Sequence, residues 1–302
     1  MKRRNFIQQA SAATAFVGLG GLSSLSFKAA TAKHITILHT NDVHSHIDAF
    51  GPDDPKNPNM GGVARRASLV QQIRQENLNT LLLDAGDIFQ GTPYFNFYGG
   101  ELEFKLMSKL KYDAATIGNH DFDNGIDGLY AQLPNADFDF ICSNYDFSNT
   151  VMDGHTLPHK VFTKDGVKIG IFGLGIELQG LVNDKLYKET KYLDPVETAQ
   201  EMTRILKEEQ QCDLVICLSH LGYSYNSDTI DDLKLARATK DINLIIGGHT
   251  HTFLEKPTIE TNSAGKKVLV NQVGCYGIYL GRIDFFLNGD EDIQADGVKI
   301  AV

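Results

Sequence analysis

Five short apolar runs in this chain each stop at acidic, amide or imidazole side chains, and that repeated join narrows the possible folds. Ile35-Thr36-Ile37-Leu38-His39-Thr40 runs into Asn41-Asp42-Val43-His44-Ser45-His46. Leu81-Leu82-Leu83-Asp84 ends at Ala85-Gly86-Asp87, and Ala114-Ala115-Thr116-Ile117 at Gly118-Asn119-His120-Asp121-Phe122-Asp123. Asp213-Leu214-Val215-Ile216-Cys217-Leu218 reaches Ser219-His220, and Ile242-Asn243-Leu244-Ile245-Ile246 reaches Gly247-Gly248-His249-Thr250-His251. Short, continuously apolar runs suit strands covered on both faces. Segments of helical spacing lie between them. Val63 to Ile73 has apolar residues at 63, 67, 70 and 73, and Leu102, Leu106, Met107 and Leu110 mark a second helix. Asp194-Pro195 supplies an N-cap and a first-turn proline for a third, striped by Val196, Ala199, Met202, Ile205 and Leu206. Another helix is expected over about 229–239. Strands alternating with helices predict an α/β fold, and such folds place their chemistry in loops at the carboxyl ends of strands.

Further strands are expected at 138–142, 167–172, 268–273 and 278–287, which leaves Asn288 to Val302 after the last of them. No repeat, low-complexity linker or shift in composition interrupts the chain after residue 33, so residues 33–302 are expected to form one domain. The first 32 residues read as an export signal. Lys2-Arg3-Arg4 is a basic head, Ala10 to Leu25 is weakly apolar and rich in Ala, Gly and Ser, and Ala30-Thr31-Ala32 is a cleavage pattern before Lys33. Arg3-Arg4 ahead of Asn5-Phe6-Ile7 marks the twin-arginine route. The protein is therefore expected outside the cytoplasm, in the periplasm or its equivalent. With Ser11, Thr14, Ser23, Ser24 and Ser26 in it, the segment falls short of the roughly 20 strongly apolar residues of a stable membrane anchor. The whole chain carries a net charge of −10. Cleavage would remove four cations and no acid, which disfavours nucleic acid polymers and anionic membranes as partners. Cys142, Cys212, Cys217 and Cys275 form no Cys-x-x-Cys pair and read as buried free thiols.

Each polar cluster alone has an ordinary reading as a turn or a rim histidine. The joint pattern does not. Five of ten histidines stand at strand ends, beside Asp42, Asp87 and Asn119. Imidazole nitrogen, carboxylate oxygen and amide oxygen suit zinc, manganese, iron or similar divalent ions. Asp42, His44, Asp87, Asn119, His220, His249 and His251 make seven candidate ligands. That number fits two adjacent ions sharing one carboxylate, with Asp87 as the bridge. His249 and His251 are expected to point the same way, as alternate residues of an extended segment. His34, His39, His46, His155 and His159 read as structural, and Tyr223 and Tyr225 as loop residues near His220 that could line the site.

The order Asp-x-His, Gly-Asp, Gly-Asn-His-Asp, His, Gly-His-x-His resembles the calcineurin-like metallophosphoesterases, and within them the 5′-nucleotidases. Ile35 to Ser45, Leu81 to Phe97 (with Gln90-Gly91-Thr92-Pro93-Tyr94-Phe95-Asn96) and Tyr112 to Asp123 carry that likeness, which covers nearly all of 33–287. Two departures stand out: Asp121 where the nucleotidases usually have Glu, and His251 where they often have Gln. The resemblance implies a four-layer α-β-β-α sandwich with mixed sheets. It implies one metal on Asp42, His44, Asp87 and His251, and a second on Asp87, Asn119, His220 and His249. It makes His120 and Asp123 the catalytic dyad. The activity implied is hydrolysis of a small phosphorylated substrate, a nucleoside monophosphate, by a metal-activated water. Relatives of this type carry a second, nucleotide-binding domain. None is expected within residues 33–302, which leaves two readings open: a stand-alone phosphatase, or a split one whose base recognition comes from a separate chain. A cyclic-nucleotide or nucleotide-sugar phosphodiesterase or pyrophosphatase, an exported thiosulfate-ester hydrolase and a non-catalytic metal-binding relative stay open as alternatives.

Overall fold

The computed structural model describes residues 32–288 and 293–302, so the export signal expected over 1–32 lies, apart from Ala32, outside the described residues. Two six-stranded sheets face each other, and two short strands outside them, β5 (Tyr145–Asp146) and β8 (Lys191–Tyr192), pair antiparallel with one another. The first contains β1 (Lys33–Thr40), β2 (Thr80–Asp84), β3 (Ala114–Ala115), β4 (Asp139–Phe140), β13 (Tyr279–Leu287) and β14 (Ile293–Ala301), in the order β14-β13-β1-β2-β3-β4. The second contains β6 (His159–Lys164), β7 (Val167–Leu174), β9 (Leu214–Ser219), β10 (Leu244–Gly247), β11 (Thr258–Thr261) and β12 (Lys267–Asn271), in the order β11-β12-β10-β9-β7-β6. The centres are parallel, β1 to β4 in one sheet and β7, β9, β10 and β12 in the other, and antiparallel strands close the edges.

The alternation of side chains along each strand builds the layers. Ile35, Ile37, Leu81, Leu83, Leu214, Ile216, Leu244 and Ile246 point between the sheets into a central core. Their neighbours turn outward. Leu38 and Leu82 meet Val70, Ile73, Phe104 and Ile126 from the helices Val63–Glu76, Glu101–Leu110 and Gly125–Gln132. Val215, Cys217 and Ile245 meet Ala199 and Leu235 from the helices Pro195–Arg204 and Asp232–Ala238. Each fully buried aliphatic side chain is worth about 1.5–3 kcal/mol against exposure. The four-layer α-β-β-α sandwich with mixed sheets is the architecture the resemblance implied. Asp194 caps its helix as expected, accepting from the Val196 and Glu197 amides at 2.8 Å. All four cysteines are free and buried.

The last strand is not 278–287. β14 pairs antiparallel with the whole of β13, from Leu287 with Ile293 to Tyr279 with Ala301. It is an edge strand, exposed along most of its length, so it carries little of the apolar signal by which a strand is read. The strand expected at 114–117 keeps a ladder only at Ala114–Ala115, because Thr116 already begins the approach to the polar loop. Among the described residues no helix is long and apolar enough to cross a membrane.

Candidate dimetal site

Parallel strands within each sheet point the same way, so the loops after β1, β2, β3, β9 and β10 emerge on one edge. Those loops are tied to one another by the backbone. The Asp42 amide donates to Gly86 O at 2.9 Å, His44 N to Asp87 O at 3.0 Å, and Thr116 N to Asp84 O at 3.0 Å. Five of the seven candidate ligands stand in the left-handed backbone region that glycine favours: Asp42 (φ 50°), His44 (50°), Asp87 (55°), His249 (70°) and His251 (51°). Such conformations cost about 1–3 kcal/mol each and persist where the surroundings hold them. They also correct the sequence reading of 249–251. The segment is not extended, and the two imidazoles meet different partners.

All seven side chains converge. One set of ligand atoms, from Asp42, His44, Asp87 and His251, lies within 4.8 Å of one another, and so does a second, from Asp87, His220 and His249. Asp87 belongs to both. His44 Nε2 is 3.0 Å from His251 Nε2 and 3.7 Å from Asp87 Oδ2. His220 Nε2 is 3.1 Å from Asp87 Oδ2, fully buried, and has no well-directed hydrogen bond. Asn119 Oδ1 lies 2.8 Å from His249 Nδ1, which places the amide beside the second set. The other ring nitrogens are committed to the backbone. His44 Nδ1 faces Phe89 O at 3.2 Å and His220 Nδ1 faces Ala85 O at 2.7 Å, which leaves each Nε2 lone pair aimed inward. Two buried carboxylates, an orphaned imidazole nitrogen and a close imidazole pair fit two divalent ions. Zinc, manganese or iron all accept this nitrogen–oxygen set.

The electrostatics call for positive charge in the same place. Burial pushes the Asp87 carboxyl up, yet His220, His44 and His120 together hold it below the usual carboxylate range. Burial pulls His220 down, and Asp87 and Asp42 lift it to about 10. Burial and the neighbouring His220 lower His249 to about 4. A proton on His220 supplies part of the charge a cation would supply.

His120 stands at the rim. Its Nδ1 is 2.8 Å from Asp123 Oδ2, so Nε2 is free to face a substrate, and the two side chains are 39% and 28% exposed. The hydrogen bond to Asp123 raises the His120 pKa against the pull of burial. The site places Asp121, which sequence reasoning left without a role. Its buried carboxylate accepts the amides of Gly118 (2.8 Å), Ile88 (2.9 Å), Asp87 (3.1 Å) and Phe89 (3.1 Å). It binds the Asp87 loop to the loop that carries Asn119 and His120. Gly118 is required at that junction, since a Cβ there would stand 2.2 Å from Asp87 Oδ1. Gln272 went unread as well. It is fully buried, donates to Gly248 O and accepts from the Thr252 amide, which holds the turn bearing His249 and His251. Asp121 lies inside the Gly-Asn-His-Asp motif, but nothing in that motif shows that its partners are backbone amides, and no motif marks Gln272.

Four further residues near the site are tied to partners outside the ligand sets. His39 is buried against Asn271 Nδ2 at 2.8 Å. His46 reaches only the rim, where its ring lies 4.2 Å from that of Tyr276. Tyr225 turns back to Leu221 O at 2.9 Å and Tyr223 to Thr258 Oγ1 at 2.8 Å, so neither hydroxyl is directed into the site.

Fold and donor set together define a class: an α-β-β-α sandwich with a candidate two-metal site at its strand ends. The chain belongs to the calcineurin-like phosphoesterase family, whose pattern matches residues 35–253. It is 35% identical over 277 residues to a snake venom 5′-nucleotidase of Crotalus adamanteus, covering 85% of this chain and 46% of that one. It is 34% identical to the 5′-nucleotidase of Homo sapiens, covering 89% of this chain and 50% of that one. A crystal structure of a 5′-nucleotidase precursor from Thermus thermophilus superposes with a TM-score of 0.82 at 33% identity, over 89% of this chain and 55% of that one. The chain thus spans about half the length of these relatives.

Proposed function

We propose that this protein is a dimetal phosphomonoester hydrolase of the 5′-nucleotidase type, acting on nucleoside monophosphates. The observation that carries this reading is Asp87, which is shared by both ligand sets while its Oδ1 accepts the His120 amide at 2.8 Å. One carboxylate thereby links both candidate metal positions to the dyad. Asp42, His44, Asp87 and His251 would hold one ion, and Asp87, Asn119, His220 and His249 the other. When bound, two such ions polarise phosphoryl oxygens and lower the pKa of a bound water. The chain's own residues do the rest. Asp123 fixes the His120 ring through Nδ1, and the protonated ring offers Nε2–H to the developing charge and the departing ribose oxygen. Asp121 and Gln272 keep the ligand loops in place before substrate arrives.

Residues 1–32 are proposed to direct export by the twin-arginine route, placing the enzyme outside the cytoplasm. The activity test follows products by chromatography, with manganese or zinc and after chelation: inorganic phosphate with adenosine or p-nitrophenol from AMP and p-nitrophenyl phosphate, UMP with glucose 1-phosphate from UDP-glucose, and an adenosine monophosphate from 2′,3′-cyclic AMP. Metal-dependent release from the two monoesters, with the diester substrates slow, is expected. Faster cleavage of the diesters would replace this reading with the phosphodiesterase one.

A further inference from the structure

A cavity of about 210 Å3 lies outside the metal cluster, walled by Tyr145, Tyr187, Tyr192, Glu177 and Gln179. It is formed by the loop after β7, whose last residue, Leu174, accepts the His220 amide at 2.7 Å, so it starts from the edge that carries the candidate site. Tyr145 anchors it. Its hydroxyl donates to Ile176 O, its ring meets Phe122 edge-on at 5.9 Å, and Tyr192 lies 6.2 Å away at 52°. Tyr187 and Tyr192 are half-buried and keep part of their rings open. Glu177 is exposed and, among the described residues, makes no hydrogen bond or ion pair. The nearby lysines are engaged elsewhere, Lys188 with Asp127 and Lys191 with Asp146. Burial first, and then the nearby Glu177 and Asp194 carboxylates, raise the pKa of the Tyr192 phenol.

Ring faces carry negative charge density, and the part-open rings of Tyr187 and Tyr192 beside a carboxylate with no cation of its own favour a positive guest. A strongly hydrated metal ion would find few oxygen ligands here, whereas an alkylammonium can give its methyl or N–H groups to the rings and its charge to Glu177. We propose that this cavity binds an organic ammonium group. The inference does not rest on the hydrolase reading, because it uses none of the metal-ligating residues and its test measures binding.

The full 302-residue chain is titrated at fixed ionic strength with choline and with 3,3-dimethyl-1-butanol, its uncharged isostere, and followed by saturation-transfer NMR and calorimetry. Saturable choline binding is expected, with the neutral isostere about tenfold weaker or more, the size of a cation–π and charge contribution of roughly 1.4 kcal/mol. Glu177→Gln and Tyr192→Phe both leave the fold intact, and circular dichroism checks this. Glu177→Gln is expected to weaken choline about tenfold, while Tyr192→Phe, which keeps the ring face, changes it little. Tyr192→Ala should weaken choline as Glu177→Gln does. The absence of saturable binding, equal binding of the isostere, or affinity unchanged in both Glu177→Gln and Tyr192→Ala would overturn the proposal.

Discussion

Asp121 concentrates more of the site's geometry than any ligand does. Its two oxygens serve four buried amides on two loops, 32 to 34 residues away in sequence for three of them. A buried donor left without an acceptor costs about 1–3 kcal/mol. Asp121→Ala is therefore expected to lower stability by several kcal/mol and to lose metal, read by denaturant unfolding and elemental analysis of the same sample. Unchanged metal content and stability would show that the loops hold themselves. His120→Ala should behave in the opposite way. Its side chain hydrogen-bonds to Asp123 and meets the His44 ring only edge-on, at 5.2 Å between centroids, so metal content stays and kcat falls by about 10²–10⁴, the range of a positioned acid. Metal loss in that variant would move His120 from the dyad to the ligand set. The candidate ligands were legible because each carries a donor group at a strand end. Asp121 and Gln272 were not, because their partners are backbone groups that only the fold brings near.

At the scale of elements, β1 and β13 are joined by a polar cluster on Asp284. Its carboxylate accepts from Thr36 Oγ1 at 2.6 Å and Arg282 Nε at 2.7 Å, and faces His34 Nε2 at 2.8 Å. Burial opposes the charge, but Thr36, Arg282 and His34 outweigh it and hold the pKa below the ordinary carboxylate value. A depressed folded-state pKa contributes stability that is complete above the unfolded value, near 4, and is lost as pH falls through the folded value. The stability difference between the native chain and Asp284→Asn should thus be full at neutral pH and close in acid. A difference that grows in acid would reverse the sign of this assignment. Strand and helix periodicities made the layers legible, since Leu38 and Leu82 face helices while Ile37 and Leu81 face the other sheet. The edge strand β14 was missed because solvent-facing polar residues on an edge look like a tail. The turn at 249–251 was misread because left-handed backbone at two histidines has no signature in residue type.

For the whole molecule, two sheets supply one edge, and that edge gathers two buried carboxylates and four imidazoles within reach of a shared Asp87. Binding of ions to the native state alone should raise stability by RT ln(1 + [L]/Kd), about 2.7 kcal/mol at a hundredfold excess over Kd. Chelation is expected to lower the thermal midpoint, and Asp87→Asn, which removes the bridge, to abolish that sensitivity. The most direct test of the two-metal claim is anomalous diffraction from crystals grown with manganese or zinc. The account predicts two peaks about 3.5–4 Å apart, as two-metal hydrolases require, with Asp87 between them. A single peak, or none near Asp87, would contradict it.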